Sequence, residues 1–250
     1  MGGISPLKAD EQSDRRIKGA RRMDLSPLWI SIKTALVATF LTFFIGLYAA
    51  RYVMGLKRLQ GIVDGIFTLP LVLPPTAVGF FLLLICGKNS WLGRILETVD
   101  YSIVFSWEAT VVASSVVAFP LMYRTARGAF EQIDQNLIAA ARTLGVSEEK
   151  IFWRIILPLS LPGIAAGTIL AFARALGEFG ATIMLAGNIP GRTQTMATAI
   201  YSAVQAGDDD LAYVWAMIIV LISFIMMIVM NYWTNKQKKL TKGKLKGGAC

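Results

Sequence analysis

The chain has 250 residues, of which 55% are apolar and only 16% are charged, and its mean hydropathy is +0.56. Soluble domains carry about 25% charged residues, so this composition excludes a disordered or fibrous protein and disfavours an ordinary soluble domain. The net charge is +9, but the basic residues lie in short stretches between and beyond long apolar runs. That distribution is typical of membrane-flanking charge and argues against a nucleic-acid-binding surface.

Five apolar segments are long enough to cross a bilayer as helices, which takes about 20 residues each. They are residues 28–50, 62–87, 103–123, 162–186 and 211–233. The stretch 195–206 is apolar but too short to span, and we expect it to be re-entrant or to lie on the surface. The predicted fold is therefore an all-α membrane protein, a polytopic bundle of transmembrane helices.

Lysine and arginine positions predict the orientation of these spans. One side of the predicted bundle holds 14 of them, in residues 51–61, 124–158 and the tail beyond 233, and the other side holds three. The first side is expected to be cytoplasmic, which places the N-terminus outside and the C-terminus in the cytoplasm. Residues 1–22 carry six basic residues, which is contrary to the rule because the N-terminus is placed on the outside.

The membrane domain is predicted to cover residues 25–233, followed by a Lys-rich cytoplasmic tail at 234–250. Met23 stands directly before the first span, and we expect native translation to start there. Residues 1–24 are then an N-terminal extension that is either untranslated or disordered.

Three prolines, Pro70, Pro74 and Pro75, lie within the second predicted span. A proline removes a helical hydrogen bond, and a freed carbonyl at membrane depth is tolerated only where protein or a water-filled cavity satisfies it. This face of the span is expected to point toward a pathway or a partner subunit, and a kink packed inside the bundle is the alternative.

The loop 124–158 contains apolar residues at helical spacing, which predict an amphipathic helix. They are Phe130, Ile133, Leu137, Ile138, Ala141 and Leu144. Gly145 is expected to end that helix, Ser147 to cap a second one, and Pro158 and Pro162 to break the chain where it enters the membrane. The pattern predicts two short helices joined by a tight turn, with an interfacial hairpin buried in lipid headgroups as the alternative.

Two charges, Arg174 and Glu178, lie four residues apart within the fourth predicted span. Charges inside a membrane usually pair with each other or line a functional cavity. We expect Arg174 or backbone donors to neutralise Glu178, and the flanking Gly177 and Gly180 to permit close helix packing. Residues 187–193, built on Asn-Ile-Pro-Gly, are predicted to form an external turn.

The loop also resembles the cytoplasmic signature of ABC importer permeases. The run Ala139-Ala140-Ala141, then Gly145, then Ile155-x-Leu157-Pro158 has the spacing of that signature, although its usual glutamate is Ala139 here. Residues 69–75, 119–121, 172–182 and 188–193 are similar, in the same order, to the molybdate branch of these permeases. The resemblance covers about residues 25–233.

This resemblance implies a type I ABC importer permease: five spans plus cytoplasmic coupling helices, in the cytoplasmic membrane. It implies a subunit that translocates molybdate, with sulfate, thiosulfate or tungstate as alternative substrates. Its partners would be two separate ATPase subunits, an extracytoplasmic molybdate-binding protein and a second copy of the permease. A secondary transporter or channel that works without an ATPase is the more distant alternative.

The resemblance also implies three groups of functional residues. The coupling loop would use Ala139, Ala140, Ala141, Arg142, Gly145, Ile155, Leu157 and Pro158. The translocation path or gate would use Pro70, Pro74, Pro75, Arg174, Gly177, Glu178 and Gly180. Contacts with the binding protein would use Asn188, Pro190 and Arg192.

No catalytic residue, metal site or cofactor is predicted. The chain has no histidine, its two cysteines are Cys86 and Cys250, and it contains no Gly-x-x-x-x-Gly-Lys-Ser/Thr loop for nucleotide phosphates. The subunit is therefore not expected to be an enzyme itself, and any ATP hydrolysis is assigned to another chain.

Overall fold

A computed structural model describes residues 24–247 except 57, 89 and 100, and this part of the chain forms helices and loops with no β-strand. The predicted N-terminal extension lies outside the described residues apart from Asp24. The first helices in chain order are α1 (Ser26–Met54), α2 (Gln60–Val72), α3 (Pro75–Cys86), α4 (Trp91–Glu97) and α5 (Trp107–Glu131). Next come α6 (Gln135–Thr143), α7 (Glu148–Ile151), a π-helical segment (Phe152–Ile156), α8 (Leu157–Leu176), α9 (Gly180–Leu185), α10 (Met196–Ala206) and α11 (Asp209–Gly247).

Within the described residues, four helices are long and apolar enough to cross a membrane. They are Ser26–Met54, Trp107–Glu131, Glu148–Leu176 and Asp209–Met230. The pair α2 and α3 passes the same test together and supplies a fifth crossing if its bent path counts as one span. The prediction of an all-α, polytopic membrane bundle is confirmed.

The second predicted span, 62–87, is not one kinked helix but two helices at 112° to each other. Leu73 and Pro74 between them are extended, with ψ of 144° and 135°. A residue before proline is pushed out of the helical region, and here Leu73 precedes Pro74 and Pro74 precedes Pro75. The tandem prolines therefore end α2, and Pro75 starts α3, where a missing N–H group is tolerated.

The fourth predicted span, 162–186, is also corrected, because Pro158 and Pro162 do not break the chain. The helix runs without interruption from Glu148 to Leu176, and the π-helical segment lies just before Pro158. There the Leu157 N–H donates to the Phe152 carbonyl, a wider turn that leaves Pro158 in the first turn of α8. The helix then ends at Leu176, ten residues earlier than the predicted limit of 186.

The core of the bundle lies between α1, α5 and α8, where small side chains allow close approach. Gly46 of α1 faces Met122 of α5, and Gly167 of α8 faces Thr125, at distances that leave no room for an ordinary side chain. The hydroxyls of Thr34 and Thr110, on α1 and α5, lie 2.9 Å apart. In lipid, where apolar surface alone gives little drive for helix association, such small-residue contacts and interhelical hydrogen bonds hold helices together.

The two ends of the bundle are distinct. At one end, hereafter the loop end, the ring of Phe130 packs against that of Phe152, with centroids 5.4 Å apart. At the opposite end, the Phe105 N–H donates to the Leu185 carbonyl, and the Met196 N–H donates to the Ser31 hydroxyl. Helix α10, predicted to be re-entrant or surface-lying, is a short helix at this opposite end whose Ala199 and Ala203 are buried.

Candidate functional site

The short helix α6 at the loop end is closed by a glycine turn. Gly145 has a φ of +74°, a backbone conformation that favours glycine, and its N–H donates to the Arg142 carbonyl at 2.9 Å. The Val146 N–H donates to the Ala141 carbonyl at 3.1 Å, which completes a Schellman motif. The prediction that Gly145 ends this helix is confirmed.

The predicted apolar stripe of this loop is not the face of a single helix. Phe130 belongs to α5 and is buried in the core, and the chain leaves the helix before Asp134 begins α6 as its N-cap. On α6, Ile138 and Ala141 are buried, whereas Leu144 is 82% exposed. The expectation of one stripe running to Leu144 is therefore wrong, because the helix is broken between Glu131 and Gln135 and Leu144 is the C-cap residue beyond the end of α6.

The outer face of α6 remains open. Its exposed residues include Ala139, Ala140 and Leu144, and Leu137 is 44% exposed. The small side chains of Ala139 and Ala140 leave the α6 backbone accessible to a partner surface, beside the exposed Leu137 and Leu144. Position 139, where the signature usually has glutamate, carries an alanine and presents no charge.

The two loop helices are tied to each other by an ion pair. The Arg142 guanidinium donates to both carboxylate oxygens of Glu148, at 2.5 Å and 3.0 Å, and this contact raises the pKa of Arg142. Ser147 is at the predicted N-cap position of α7, but its side chain makes no capping bond. The ion pair and the Gly145 turn therefore hold α6 and α7 in one arrangement.

The π-helical segment connects this loop to the bundle. The Arg51 guanidinium, from the end of α1, stacks 4.4 Å from the centroid of the Phe152 ring. Ile155 and Leu157 are half-buried, and Pro158 is exposed. The loop thus continues directly into α8 and rests on α1.

A second candidate site lies where the two interrupted spans meet. A Cβ atom on Gly180 would lie 2.9 Å from the Pro75 Cβ, and one on Gly79 would lie 2.7 Å from the Ala181 Cα. Helix α3 therefore packs against α9 with almost no intervening side chain. The break at residues 73–74 and the break at 177–179 lie side by side, and we call this region the double break.

The charged pair at the end of α8 is neutralised within the protein. Arg174 Nη1 is 2.7 Å from one carboxylate oxygen of Glu178, and the other oxygen accepts the Ala181 N–H at 2.8 Å. The Glu178 residue is 2% exposed. The predicted neutralisation of Glu178 is confirmed. Close packing at Gly177 is not found, since Gly177 is exposed and an added Cβ would meet only the Ala173 carbonyl at 3.7 Å.

Replacing Glu178 by alanine is expected to destabilise the protein by about 2–3 kcal/mol, because Arg174 loses its partner and the Ala181 N–H loses its acceptor. Glu178→Gln keeps an acceptor for that N–H and should lose less. Thermal unfolding of the purified protein in detergent measures both. Glu149→Ala removes an exposed carboxylate and serves as the control. Equal melting temperatures for Glu178→Ala and Glu149→Ala would contradict this interpretation.

Two further residues predicted to line the translocation path, Pro70 and Pro74, lie apart from the Arg174–Glu178 pair. Pro74 is exposed on the surface. Pro70 borders a cleft of about 250 Å³ between α1, α2 and α5, together with Thr42, Ile66, Ser115 and Phe119. Of the seven predicted path residues, the structure thus brings Pro75 into contact with Gly180 and Arg174 into contact with Glu178.

The predicted external turn is closed on itself. The Ile189 N–H donates to the Thr193 hydroxyl at 3.0 Å, and the Thr193 N–H donates back to the Ile189 carbonyl at 2.9 Å. The Asn188 side-chain amide donates to the Ser202 hydroxyl of α10. Pro190 and Arg192 are exposed at the tip of this rigid turn.

The sequence analysis missed a charged cluster near the loop end. Asp64 of α2 forms an ion pair with Arg127 of α5 and accepts a hydrogen bond from the Tyr123 hydroxyl. Arg127 also bonds Glu131 at 2.7 Å. One signal was available: Asp64 is an acidic residue inside a predicted span, and such charges usually have a partner.

Within the described part of the chain, no group of three or more His, Cys, Asp or Glu side chains is placed to hold a metal ion. The described residues contain instead a loop closed by a glycine turn, two adjoining helix breaks and the ion pairs Arg174–Glu178 and Asp64–Arg127. Together with the bundle of interrupted helices, these define the fold of type I ABC importer permeases.

Comparison with known proteins identifies the family. Residues 42–239 match the family described as binding-protein-dependent transport system inner membrane component, and the chain belongs to this family. It is 45% identical over 204 residues to YvgM of Bacillus subtilis (strain 168), covering 81% of this chain and 90% of that protein. It is 38% identical over 228 residues to the molybdenum transport system permease protein ModB of Haemophilus influenzae, covering 89% of this chain and 99% of that protein.

The fold is shared with a solved transporter. A chain in an inward-facing structure of the MetNI methionine ABC transporter matches with a TM-score of 0.68 over 84% of this chain and 94% of that one. The sequence identity is 18%, so this similarity establishes the architecture alone.

Proposed function

We propose that this protein is the membrane-spanning subunit of an ATP-driven importer that carries molybdate across the cytoplasmic membrane. The observation that carries the proposal is the extent of the similarity to a protein named for molybdenum transport, which reaches over 89% of this chain. The solvent-exposed surface of α6 at the loop end of the bundle supports the same function.

The loop provides the mechanical connection to an ATPase. The exposed face of α6, with Ala139, Ala140 and Leu144, docks on a separate ATP-hydrolysing subunit, two of which serve the complex. Since Glu148–Leu176 is one 29-residue helix, a displacement of the docked loop reaches the double break about 43 Å away along a single rigid element.

A second copy of the chain covers the exposed side of the broken span. Val72 is 81% exposed next to the extended residues Leu73 and Pro74. Non-helical backbone inside a membrane is tolerated only against protein or a water-filled cavity, so this surface is not suited to lipid. The translocation path therefore runs along the face of the double break in a homodimer, with Pro70, Pro74, Pro75, Arg174, Gly177, Glu178 and Gly180 as its candidate residues.

Neutralisation of Glu178 matters for an anionic substrate. A free carboxylate on the path would repel molybdate, whereas a carboxylate bonded to Arg174 and to the Ala181 N–H presents little net charge. Tight substrate recognition is assigned to the extracytoplasmic binding protein, which docks on the turn that displays Asn188, Pro190 and Arg192. The loop end and the C-terminus face the cytoplasm, in agreement with the excess of basic residues there.

The test is uptake of radiolabelled molybdate by cells that carry or lack the partner ATPase. We expect uptake to stop when the ATPase is deleted, because the chain contains no phosphate-binding loop of its own. Continued uptake would indicate a secondary transporter or channel. Competition with unlabelled sulfate and tungstate then determines which oxyanion the system prefers, and a stronger effect of sulfate than of molybdate would overturn the molybdate assignment.

A further inference from the structure

Helix α2, the first half of the broken span, is held to the bundle by few contacts. None of its 13 residues is buried. It is fastened to α5 by Asp64, which forms the ion pair with Arg127, and by Phe67, whose ring packs edge-on against Tyr123 with centroids 5.3 Å apart. The position of α2 therefore depends on this charged contact together with the packing of Phe67 against Tyr123 and Phe119.

The contact is enclosed on the side of α5. Tyr123 is fully buried, and its hydroxyl donates to the second carboxylate oxygen of Asp64. The Arg127 side chain is 17% exposed and that of Asp64 is 33% exposed. Breaking this partly shielded ion pair inside a membrane-spanning segment is costly, because Asp64 would keep only the Tyr123 hydroxyl and Arg127 would keep only the half-exposed carboxylate of Glu131.

The cluster continues toward the coupling loop. Arg127 Nε donates to Glu131 at 2.7 Å, and Glu131 is the last residue of α5, four positions before α6 begins at Gln135. The chain of contacts from Asp64 through Arg127 to Glu131 thus leads from the broken span to the entrance of the loop. This route runs along α5, whereas the other runs through the π-helical segment and α8, and the two touch where Phe130 packs against Phe152.

We propose that Asp64 and Arg127 are positioning residues for transport, which make α2 follow the loop end of α5 when the coupling loop moves. The inference rests on the proposed function, because it needs an ATPase that moves the loop. Helix α8 then moves the break at residues 177–179. Helix α5 moves the break at residues 73–74, because the Asp64–Arg127 pair ties α2 to it. With the pair removed, the loop and α8 still respond to ATP, but α2 no longer follows.

The test uses the full complex with its ATPase and binding protein in proteoliposomes, with Asp64→Asn, Arg127→Gln and the double variant. Each single variant leaves the remaining charge of the pair without its partner across the α2–α5 contact and is expected to lower stability. The double variant removes both charges, leaves only the half-exposed Glu131 without Arg127, and should recover much of the stability. We expect molybdate uptake per ATP hydrolysed to fall about tenfold in all three. Arg94→Gln, which removes the charge of an exposed arginine on α4, is the charge-matched control and should keep the wild-type ratio.

The double variant separates a positioning role from a structural one. If the pair only stabilises the fold, the double variant regains its melting temperature and its uptake together, and the proposal is overturned. If the pair positions α2, the melting temperature recovers while uptake per ATP stays low. The proposal would also be overturned if the single variants assemble normally and their molybdate uptake per ATP hydrolysed is unchanged.

A distance measurement does not depend on transport. Spin labels are placed at Gly61→Cys on α2 and Gly128→Cys on α5, where an added side chain meets open space, in a background without Cys86 and Cys250. We expect a narrow distance distribution that broadens with Asp64→Asn. Failure of wild-type uptake would reject the proposed function alone, whereas an unchanged distribution in Asp64→Asn would reject the tie between α2 and α5.

Discussion

Gly145→Pro is expected to abolish molybdate uptake while the ATPase subunits continue to hydrolyse ATP and the permease still inserts into the membrane. Proline fixes φ near −65°, whereas Gly145 has a φ of +74°, and proline also removes the N–H that donates to Arg142. The turn must then open, and α6 loses its fixed orientation relative to α7. Uptake and ATP hydrolysis, measured together in proteoliposomes, report this uncoupling.

A graded series at the same position sharpens the test. An added Cβ at Gly145 meets nothing within 4 Å, so the penalty comes from backbone strain and not from a clash. Gly145→Ala and Gly145→Asp should cost about 1–2 kcal/mol, and Gly145→Asn less, because asparagine tolerates the left-handed region best among non-glycine residues. Gly207→Ala is the matched control, because Gly207 also ends a helix (α10) in the left-handed conformation, with a φ of +73° and open space around it. Normal uptake by Gly145→Pro would count against the coupling role.

Gly79→Val is expected to separate α3 from α9 and to abolish uptake. Its Cβ would lie 2.7 Å from the Ala181 Cα and 2.9 Å from the Ala181 carbonyl oxygen. These are backbone atoms, which cannot rotate away as a flexible side chain can, so the helices must move apart. Overpacking of this kind costs about 1–3 kcal/mol. Thermal unfolding in detergent and uptake in proteoliposomes measure the two effects.

The control for this substitution is Gly65→Val on α2, where an added Cβ meets nothing within 4 Å. Both variants place the same β-branched residue in a helix, so differences in helix propensity cancel. We expect Gly65→Val to retain near-normal uptake and melting temperature. If the two variants melt at the same temperature, the close approach of α3 to α9 is not a feature of the folded protein.

The local rules of the sequence accounted for much of the molecule. Runs of about 20 apolar residues located the membrane-crossing segments, and the glycine at 145 marked the end of α6, because only glycine takes its backbone conformation without strain. Pairing of Arg174 with Glu178 followed from their spacing of one helical turn and from the cost of an isolated charge in lipid. Each of these rests on neighbours in the chain, which the sequence displays directly.

The remaining features depended on segments that are distant in the chain. Asp64 could be suspected of having a partner, but Arg127, 63 residues later, was assigned to a loop until α5 was found to extend to Glu131. The contact of Gly180 with Pro75 and the path of α8 through Pro158 also depend on how helices dock and on a wider π-helical turn. Composition and spacing determine which segments enter the membrane, because transfer into lipid acts residue by residue. Which charges meet and which breaks adjoin is decided only by tertiary packing, because it requires surfaces that exist after the helices have assembled.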